Sequence, residues 1–168
     1  PEAGACSACP PGSFAPGPNN VNCTLCGISS ANPLSGQSAC TACLPGRVAV
    51  SAGLTTCTSC GAGSYSTGGA NCTSCPGGQF AANSGSSSCL LCGGGKFSLG
   101  SAATCTNCAA GKYQPASGQM SCQLTSPGYF SLPGQANATA CAVRKYTNST
   151  GVSACTLCQT GKFAPDLV

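Results

Sequence analysis

No stretch of this chain has the apolar periodicity of a helix. Aromatic side chains instead recur at a long interval, five residues after the second cysteine of a Cys-x-x-Cys pair, at Phe14, Tyr65, Phe80, Phe97, Tyr113 and Phe163. A glycine usually stands two residues before the aromatic residue, and another stands four residues before the next pair. The 24 glycines and 12 prolines interrupt any helical pattern. Short apolar segments between turn residues predict short strands with little or no helix.

The cysteine pairs define a tandem repeat of 15 to 17 residues. We name the first cysteine of each pair position a and the second position b, and we count other positions from these. Cys122 and Cys141 lack a partner in their pairs. Counting from Thr125 finds a glycine and an aromatic residue at the usual spacing, so Thr125 is a position b. Counting from Cys141 finds a basic and an aromatic residue there, so Cys141 is a position b and Ala138 is its position a. Ten units then begin at residues 6, 23, 40, 57, 72, 89, 105, 122, 138 and 155.

The two missing cysteines indicate how the others pair. Thr125 is position b of one unit and Ala138 is position a of the next. If each b bridges to the following a, a single bridge is lost and no thiol is stranded. This scheme leaves Cys6 and Cys158 unpaired within the chain. Its separations are nearly constant, and its bridges are Cys9–Cys23, Cys26–Cys40, Cys43–Cys57, Cys60–Cys72, Cys75–Cys89, Cys92–Cys105, Cys108–Cys122 and Cys141–Cys155.

Two other interpretations of the cysteines stay open from the sequence. Bridges could close within each Cys-x-x-Cys pair, with Cys122 joined to Cys141, although such tight bridges are typical of redox-active sites. Alternatively, pairs taken two at a time have the spacing of zinc knuckles or of iron–sulfur ligands. Against metal, the fourth such site would be broken by the loss at Thr125.

Composition excludes most catalytic chemistry. Of 168 residues, 18 are cysteine, a proportion typical of a disulfide scaffold. Glu2 and Asp166 are the only acidic residues and histidine is absent. No carboxylate pair, nucleophile–histidine pair, or calcium or magnesium site can therefore be built. We expect no enzyme activity, no cofactor and no resident metal.

The basic residues and the apolar runs exclude two kinds of partner. Arg47, Lys96, Lys112, Arg144, Lys145 and Lys162 look scattered, and a net charge of +4 is too weak a field for nucleic acid. No apolar run approaches the roughly 18 residues of a membrane span.

Four Asn-x-Ser/Thr sequons are candidates for covalent glycans, at Asn22, Asn71, Asn137 and Asn148. Cysteine is the middle residue at Asn22 and Asn71, which makes them the weaker acceptors. Asn137 lies in the loop that lacks a bridge.

The repeat pattern Cys-x-x-Cys-x-x-Gly-x-Phe/Tyr, closed by Gly-x-x-x-Cys-x-x-Cys, resembles the ephrin-receptor-like (GCC-type) cysteine-rich repeats. It is similar also to the small first module of tumour-necrosis-factor-receptor repeats. The clearest examples are CPPGSFAPGPNNVNCTLC at 9–26 and CAAGKYQPASGQMSCQLT at 108–125. The resemblance implies short two-stranded pieces joined by b-to-a disulfides in extracellular proteins. Ser29 and Arg144 occupy the glycine position of their units, and Ala31 and Val48 occupy the aromatic position. The units that depart from the pattern in this way are expected to pack differently.

The fold class expected is therefore small and disulfide-rich, an elongated array of about ten short β-hairpin or loop repeats without a central hydrophobic core. The array spans residues 1–168 and is expected to be an excerpt of a longer one. Each closed loop contributes about 3 kcal/mol in the chain-entropy model. The glycine at b+3 is expected to avoid a clash between a Cβ and the disulfide.

The function predicted first is a structural repeat segment of an extracellular glycoprotein fibre or stalk, whose partners are chains of the same or a related fibre. Long arrays of this composition are similar to those of algal and protist surface glycoproteins, including mastigoneme-type ciliary filaments, which implies a cell surface and suggests a ciliary or flagellar one. A ligand-binding or adhesion ectodomain of a receptor is the alternative, and a zinc or redox protein is the third.

Overall fold

The structure is a computed structural model that describes residues 6–163. The ends of the predicted array, 1–5 and 164–168, lie outside this range. Within it there is no helix, and the regular structure consists of two-residue strands. In chain order the strands are β1 (Ser13–Phe14), β2 (Thr24–Leu25), β3 (Ser30–Ala31), β4 (Thr41–Ala42), β5 (Arg47–Val48), β6 (Thr58–Ser59), β7 (Ser64–Tyr65), β8 (Thr73–Ser74), β9 (Gln79–Phe80), β10 (Leu90–Leu91), β11 (Lys96–Phe97), β12 (Thr106–Asn107), β13 (Lys112–Tyr113), β14 (Gln123–Leu124), β15 (Tyr129–Phe130), β16 (Thr139–Ala140), β17 (Lys145–Tyr146) and β18 (Thr156–Leu157).

Each odd-numbered strand pairs antiparallel with the strand that follows it, which gives nine two-stranded hairpins. The register repeats in every pair, so that b+5 lies opposite a+1 of the next unit and b+4 lies opposite a+2. Phe14 is paired with Thr24 in the first hairpin, and Tyr146 with Thr156 in the last. The prediction of about ten short hairpin repeats with little or no helix is confirmed.

The chain divides into two compact units. Unit 1 comprises Pro1–Ser74 and Ala81–Cys89, and unit 2 comprises Cys75–Phe80 and Leu90–Val168. Unit 1 contains strands β1–β8 and unit 2 contains strands β9–β18.

Main-chain hydrogen bonds connect successive loops within each unit. The amide at b+3 donates to the carbonyl oxygen at b+6 of the next repeat. In unit 1, Gly12 donates to Asn32 over 2.7 Å. In unit 2, Gly111 donates to Ser131 over 2.8 Å. The same bond recurs from repeat to repeat, so each loop is held by the loop that follows it and not by a shared core, as in solenoid repeats.

Where a glycine at b+3 is crowded, the crowding backbone belongs to the loop two repeats later and not to the disulfide, which corrects the sequence-based expectation. At Gly46, φ is 84° and an added Cβ would overlap the carbonyl oxygen of Gly85. At Gly111, φ is 80° and the overlap is with the carbonyl oxygen of Gly151. A left-handed backbone and a close backbone approach together favour glycine there.

Units that depart from the pattern keep the same backbone, so the expectation of different packing is wrong. Ser29 and Arg144 both adopt φ of 68°, in the left-handed region of the glycines they replace. Ala31 and Val48, at the aromatic position, are buried and pair normally in β3 and β5. The backbone hydrogen bonds of the repeat therefore tolerate several side chains.

Buried apolar side chains in residues 6–163 are cysteines, alanines and one valine, Val48. No leucine, isoleucine or phenylalanine in that range is buried. The interior thus consists of disulfide sulfur, small side chains and backbone, as expected for a fold without a central hydrophobic core.

Candidate functional site

The disulfide ladder is the dominant chemical feature of the chain. Each described bridge joins a position b to the following position a, spans 12 to 14 residues and brings two Cα atoms to 5.6–5.8 Å of each other. Cys75 and Cys89 are also disulfide-bonded. The described bridges are Cys9–Cys23, Cys26–Cys40, Cys43–Cys57, Cys60–Cys72, Cys92–Cys105, Cys108–Cys122 and Cys141–Cys155.

These bridges follow the serial scheme that the missing pair predicts, and none of them closes within a Cys-x-x-Cys pair. The cysteines they contain supply no thiolate for zinc or for redox exchange, since the thiolate is the reactive and metal-binding form. In residues 6–163 the free cysteines are Cys6, which is exposed, and Cys158, which is partly exposed. No group of three or more His, Cys, Asp or Glu in that range is placed to hold a metal ion.

The two ends of each bridge have different surroundings. Position b is buried in the units up to Thr125, with Cys26, Cys92 and Cys108 0 % exposed, and it is partly exposed at Cys141 and Cys158. Position a is exposed or partly exposed, as at Cys23 and Cys72. Each disulfide therefore fixes a buried strand end to the surface segment that begins the next unit.

Backbone hydrogen bonds explain the burial of position b. The amide of Cys92 donates to the carbonyl oxygen of Gly78 over 2.9 Å, and its own carbonyl oxygen accepts the amide of Gly118 over 2.8 Å. The corresponding bond from Gly36 to Cys9 is also 2.8 Å. Position b thus bonds to the preceding loop through its amide and to the following loop through its carbonyl oxygen, and buried peptide groups require such partners.

Thr125 takes the place of a cysteine without disturbing this arrangement. It is 0 % exposed, and its amide donates to the carbonyl oxygen of Gly111 over 3.0 Å. Its hydroxyl oxygen accepts the amide of Val152 over 3.2 Å. A side-chain hydrogen bond therefore takes the place of the missing bridge at Thr125. At the other end, Ala138 directly precedes β16, which still pairs with β15.

A second buried position, b+6, was missed by the sequence analysis. Its residues are 0–4 % exposed at Asn32, Ala49, Ser66, Ala81, Ser98, Gln114 and Ser131. Where the side chain is polar, it usually donates to the b+4 carbonyl oxygen of the preceding repeat. Ser131 Oγ donates to Lys112 over 2.9 Å, and Asn32 Nδ2 donates to Ser13 over 3.0 Å. Small or polar side chains immediately after the aromatic position are the only sequence signal for it.

Most aromatic residues at b+5 are less enclosed than the residue that follows them. Phe14, Phe97 and Tyr113 are partly exposed, and Tyr146 is 45 % exposed. Part of each ring surface therefore remains exposed, next to the a+1 residue that pairs with it in the hairpin.

The candidate glycan acceptors are all at the surface. Asn22, Asn71, Asn137 and Asn148 are exposed. At Asn22, the middle residue of the sequon is Cys23, which is bridged to Cys9. The structure therefore leaves all four side-chain amides accessible, and places one of the weaker sequons directly on a disulfide.

Comparison with protein families gives one match in two overlapping segments. A family model described as "Tyrosine-protein kinase ephrin type A/B receptor-like" matches residues 63–98 and 95–125. Residues 63–125 are similar to ephrin-receptor-like cysteine-rich repeats. The resemblance predicted from the Cys, Gly and aromatic positions is thereby confirmed over this segment. A comparison with curated protein sequences gives no match.

The match and the ladder together define the class of the chain. It is a cysteine-rich repeat module of the ectodomain type, consistent with a structural or a receptor segment. Because serial disulfides persist in oxidising surroundings, they indicate an extracellular or cell-surface location. In the described part of the chain, no helix has the length and apolarity needed to cross a membrane.

Proposed function

We propose that this chain is a structural segment of an extracellular fibre or stalk, and that the disulfide ladder limits how far it can be stretched. One observation carries the proposal. Each described bridge closes a loop of 12 to 14 residues, and a single Cys-x-x-Cys pair joins adjacent bridges except between Cys122 and Cys141. The covalent path along the chain therefore bypasses nearly every loop.

The lengths of this path make it a tether. Passing from Cys26 to Cys43 through the bridge requires one Cα–Cα separation of 5.7 Å and three further residues. The extended bridged path is about 16 Å per repeat, against about 55–60 Å for the same residues without the bridge. Pulling on the ladder thus reaches its covalent limit early, and the closed loops do not unravel.

Sequence chemistry supports a structural role over a catalytic one. Histidine is absent and the only carboxylates are Glu2 and Asp166, so acid–base and nucleophilic catalysis lack their usual groups. We therefore propose that the segment has no enzyme activity. Its proposed partners are neighbouring chains of the same or a related fibre, with N-linked glycans on the exposed sequons.

A receptor or adhesion ectodomain is the second candidate, and the family match favours it. The matched description names ephrin-type receptor kinases, and repeats of this kind can space a ligand-binding domain from a membrane. Both candidates use the ladder mechanically, and they differ in what the chain is joined to. A ciliary or flagellar surface is the finer location proposed for the fibre.

Immunogold electron microscopy of the native source separates the two candidates. An antibody raised against the oxidised chain is expected to label filaments or stalks repeatedly along their length, and antibody preabsorbed with the same chain provides the control. Label spread singly over the cell membrane, together with a one-to-one crosslinked complex with a soluble ligand, would contradict the fibre.

A further inference from the structure

Five of the six basic residues occupy one position of the repeat, b+4. These residues look scattered along the sequence, but that interpretation is wrong, because they recur at one position of the repeat. The sixth, Arg144, directly precedes one of them. The five are Arg47, Lys96, Lys112, Lys145 and Lys162.

The four lysines have the same local structure. Each follows a turn in which its amide donates to the carbonyl oxygen three residues earlier, over 3.2 Å at Lys96, 2.9 Å at Lys112 and Lys145, and 3.0 Å at Lys162. All four lysines are exposed. Each lysine therefore leaves its turn with the same local geometry, and Lys96, Lys112 and Lys145 share the same strand register.

The lysines lie on four of five consecutive repeats of unit 2, and hydrogen bonds join neighbouring repeats there. The turn that precedes Lys96 is joined to the strand of Lys112 through the bond from Gly95 to Gln114, 2.7 Å. The next repeat contacts the backbone of Lys112 itself, through Ser131 Oγ at 2.9 Å. We call Lys96, Lys112, Lys145 and Lys162 the lysine column.

An aromatic residue takes the one b+4 place between Lys112 and Lys145. Tyr129 is 37 % exposed and is paired with Ala140 in its hairpin. A tyrosine ring offers an apolar face and a polar tip. The column therefore reads Lys, Lys, Tyr, Lys, Lys over five consecutive repeats.

Within residues 6–163 no acidic residue offsets the column, since the two acidic residues of the chain are Glu2 and Asp166. The fields of the lysine ammonium groups in that range therefore add. Regularly spaced cations fit a chain of regularly spaced anions better than a single compact ligand, since several weak contacts act together.

We propose that the lysine column binds an acidic polysaccharide, with its sulfate or carboxylate groups on the lysines and a sugar ring against Tyr129. The partner is chosen by two observations, the repeat of positive charge and the extracellular class of the module. Acidic polysaccharides are the polyanions of that compartment, and they carry their charge at the sugar period. This surface would join the segment to a matrix or coat.

Arg47 provides a matched control within the same chain. It occupies b+4 in unit 1, and it is exposed. The preceding and following repeats have Ser30 and Ser64 at the same position, so its charge has no neighbours in register. Lys112→Gln and Arg47→Gln remove the same charge, and only the first interrupts the column.

Binding of the oxidised chain to immobilised dextran sulfate, with neutral dextran as the blank, tests the proposal. We expect salt-dependent retention on dextran sulfate alone. Each Lys→Gln substitution in the column should weaken binding about fivefold and lower the slope of log affinity against log salt by about one. Arg47→Gln should leave affinity within twofold, and Tyr129→Ala should weaken binding without changing the salt slope. Intact mass without reduction confirms that each variant keeps its bridges.

Three results would overturn the proposal. The first is no retention on dextran sulfate at low salt. The second is an equal loss for Arg47→Gln and Lys112→Gln, which would mean that net charge and not the column attracts the polymer. The third is tighter binding to a single-stranded oligonucleotide of equal charge, which would mean that the lysine column binds nucleic acid.

Discussion

The amide of Gly151 donates a 2.9 Å hydrogen bond to the carbonyl oxygen of Thr125. In the equivalent bond of the preceding repeat, Gly134 donates over 2.8 Å to the cysteine Cys108. Loss of a disulfide has thus left the contact between loops unchanged. Backbone hydrogen bonds join neighbouring loops, and a disulfide closes each loop covalently. A single loop can therefore lose its disulfide while its hydrogen bonds to other loops remain.

A disulfide can therefore be restored at this position. In Thr125→Cys/Ala138→Cys, the new cysteines occupy positions whose counterparts bridge at Cα separations of 5.6–5.8 Å. We expect spontaneous closure, seen as the loss of two hydrogens in the intact mass, and slower hydrogen exchange in 126–137. Closing a loop of this size stabilises by about 3 kcal/mol, from which the lost Thr125 hydrogen bond subtracts about 1 kcal/mol.

Thr125→Cys alone is the control for that variant. It is expected to carry one additional free thiol and to show no slowing of exchange. A double variant with both thiols free after air oxidation would contradict the placement of 125 and 138 at the two ends of a loop.

Glycine at b+3 should be essential where a following loop approaches it. Gly111→Ala places a Cβ at φ of 80° against the carbonyl oxygen of Gly151, and the left-handed backbone alone costs about 1–2 kcal/mol. A Cβ at Gly93 meets nothing within 4 Å, so Gly93→Ala should stay within about 0.5 kcal/mol of the parent. Thermal unfolding of the oxidised proteins measures both. Equal melting temperatures for the two variants would exclude the close approach.

Much of this fold could be predicted from the sequence, because covalent and conformational constraints leave visible residues. Thr125 and Ala138 revealed the pairing, and the regular glycines revealed the left-handed turns. The b+6 position could not be found in this way. Its residues, among them Asn32, Ala49 and Gln114, share no side-chain chemistry. The interaction that recurs there is a backbone hydrogen bond, which the b+3 amide of another loop donates to the b+6 carbonyl oxygen.

The basic residues illustrate the same limit in another form. Lys96 and Lys112 are 16 residues apart in the sequence and look isolated when charge is summed along the chain. Their common position appears only when each is counted from its own Cys-x-x-Cys pair, and the hydrogen bonds between the b+3 and b+6 groups then place the two on adjoining loops.

Glycan occupancy is expected to differ among the exposed sequons. Asn137 and Asn148 should be modified in material from a secretory host, because no bridged cysteine lies within their sequons. Asn22 should be occupied less, since Cys23 is joined to Cys9 and closure restrains the acceptor backbone. Enzymatic deglycosylation in heavy-oxygen water followed by peptide mass spectrometry measures each site.

A matched pair of variants tests the cause of that difference. Cys9→Ala, which opens the bridge but keeps Cys23 in the sequon, should raise occupancy at Asn22, whereas Cys108→Ala, which opens a bridge elsewhere, should leave it unchanged. Full occupancy of Asn22 in the parent chain would contradict restraint by the bridge.

Stepwise reduction of the chain under constant force tests the central claim, that a serial ladder bypasses the loops. Held by its two ends and exposed to a thiol reductant, the oxidised chain should lengthen in discrete steps. Each reduced bridge releases a loop of 12 to 14 residues, which corresponds to a gain of about 35–45 Å when extended. Thr125→Cys/Ala138→Cys should add one further step of this size. Steps of about 5 Å, the gain expected if bridges closed within Cys-x-x-Cys pairs, would contradict the account.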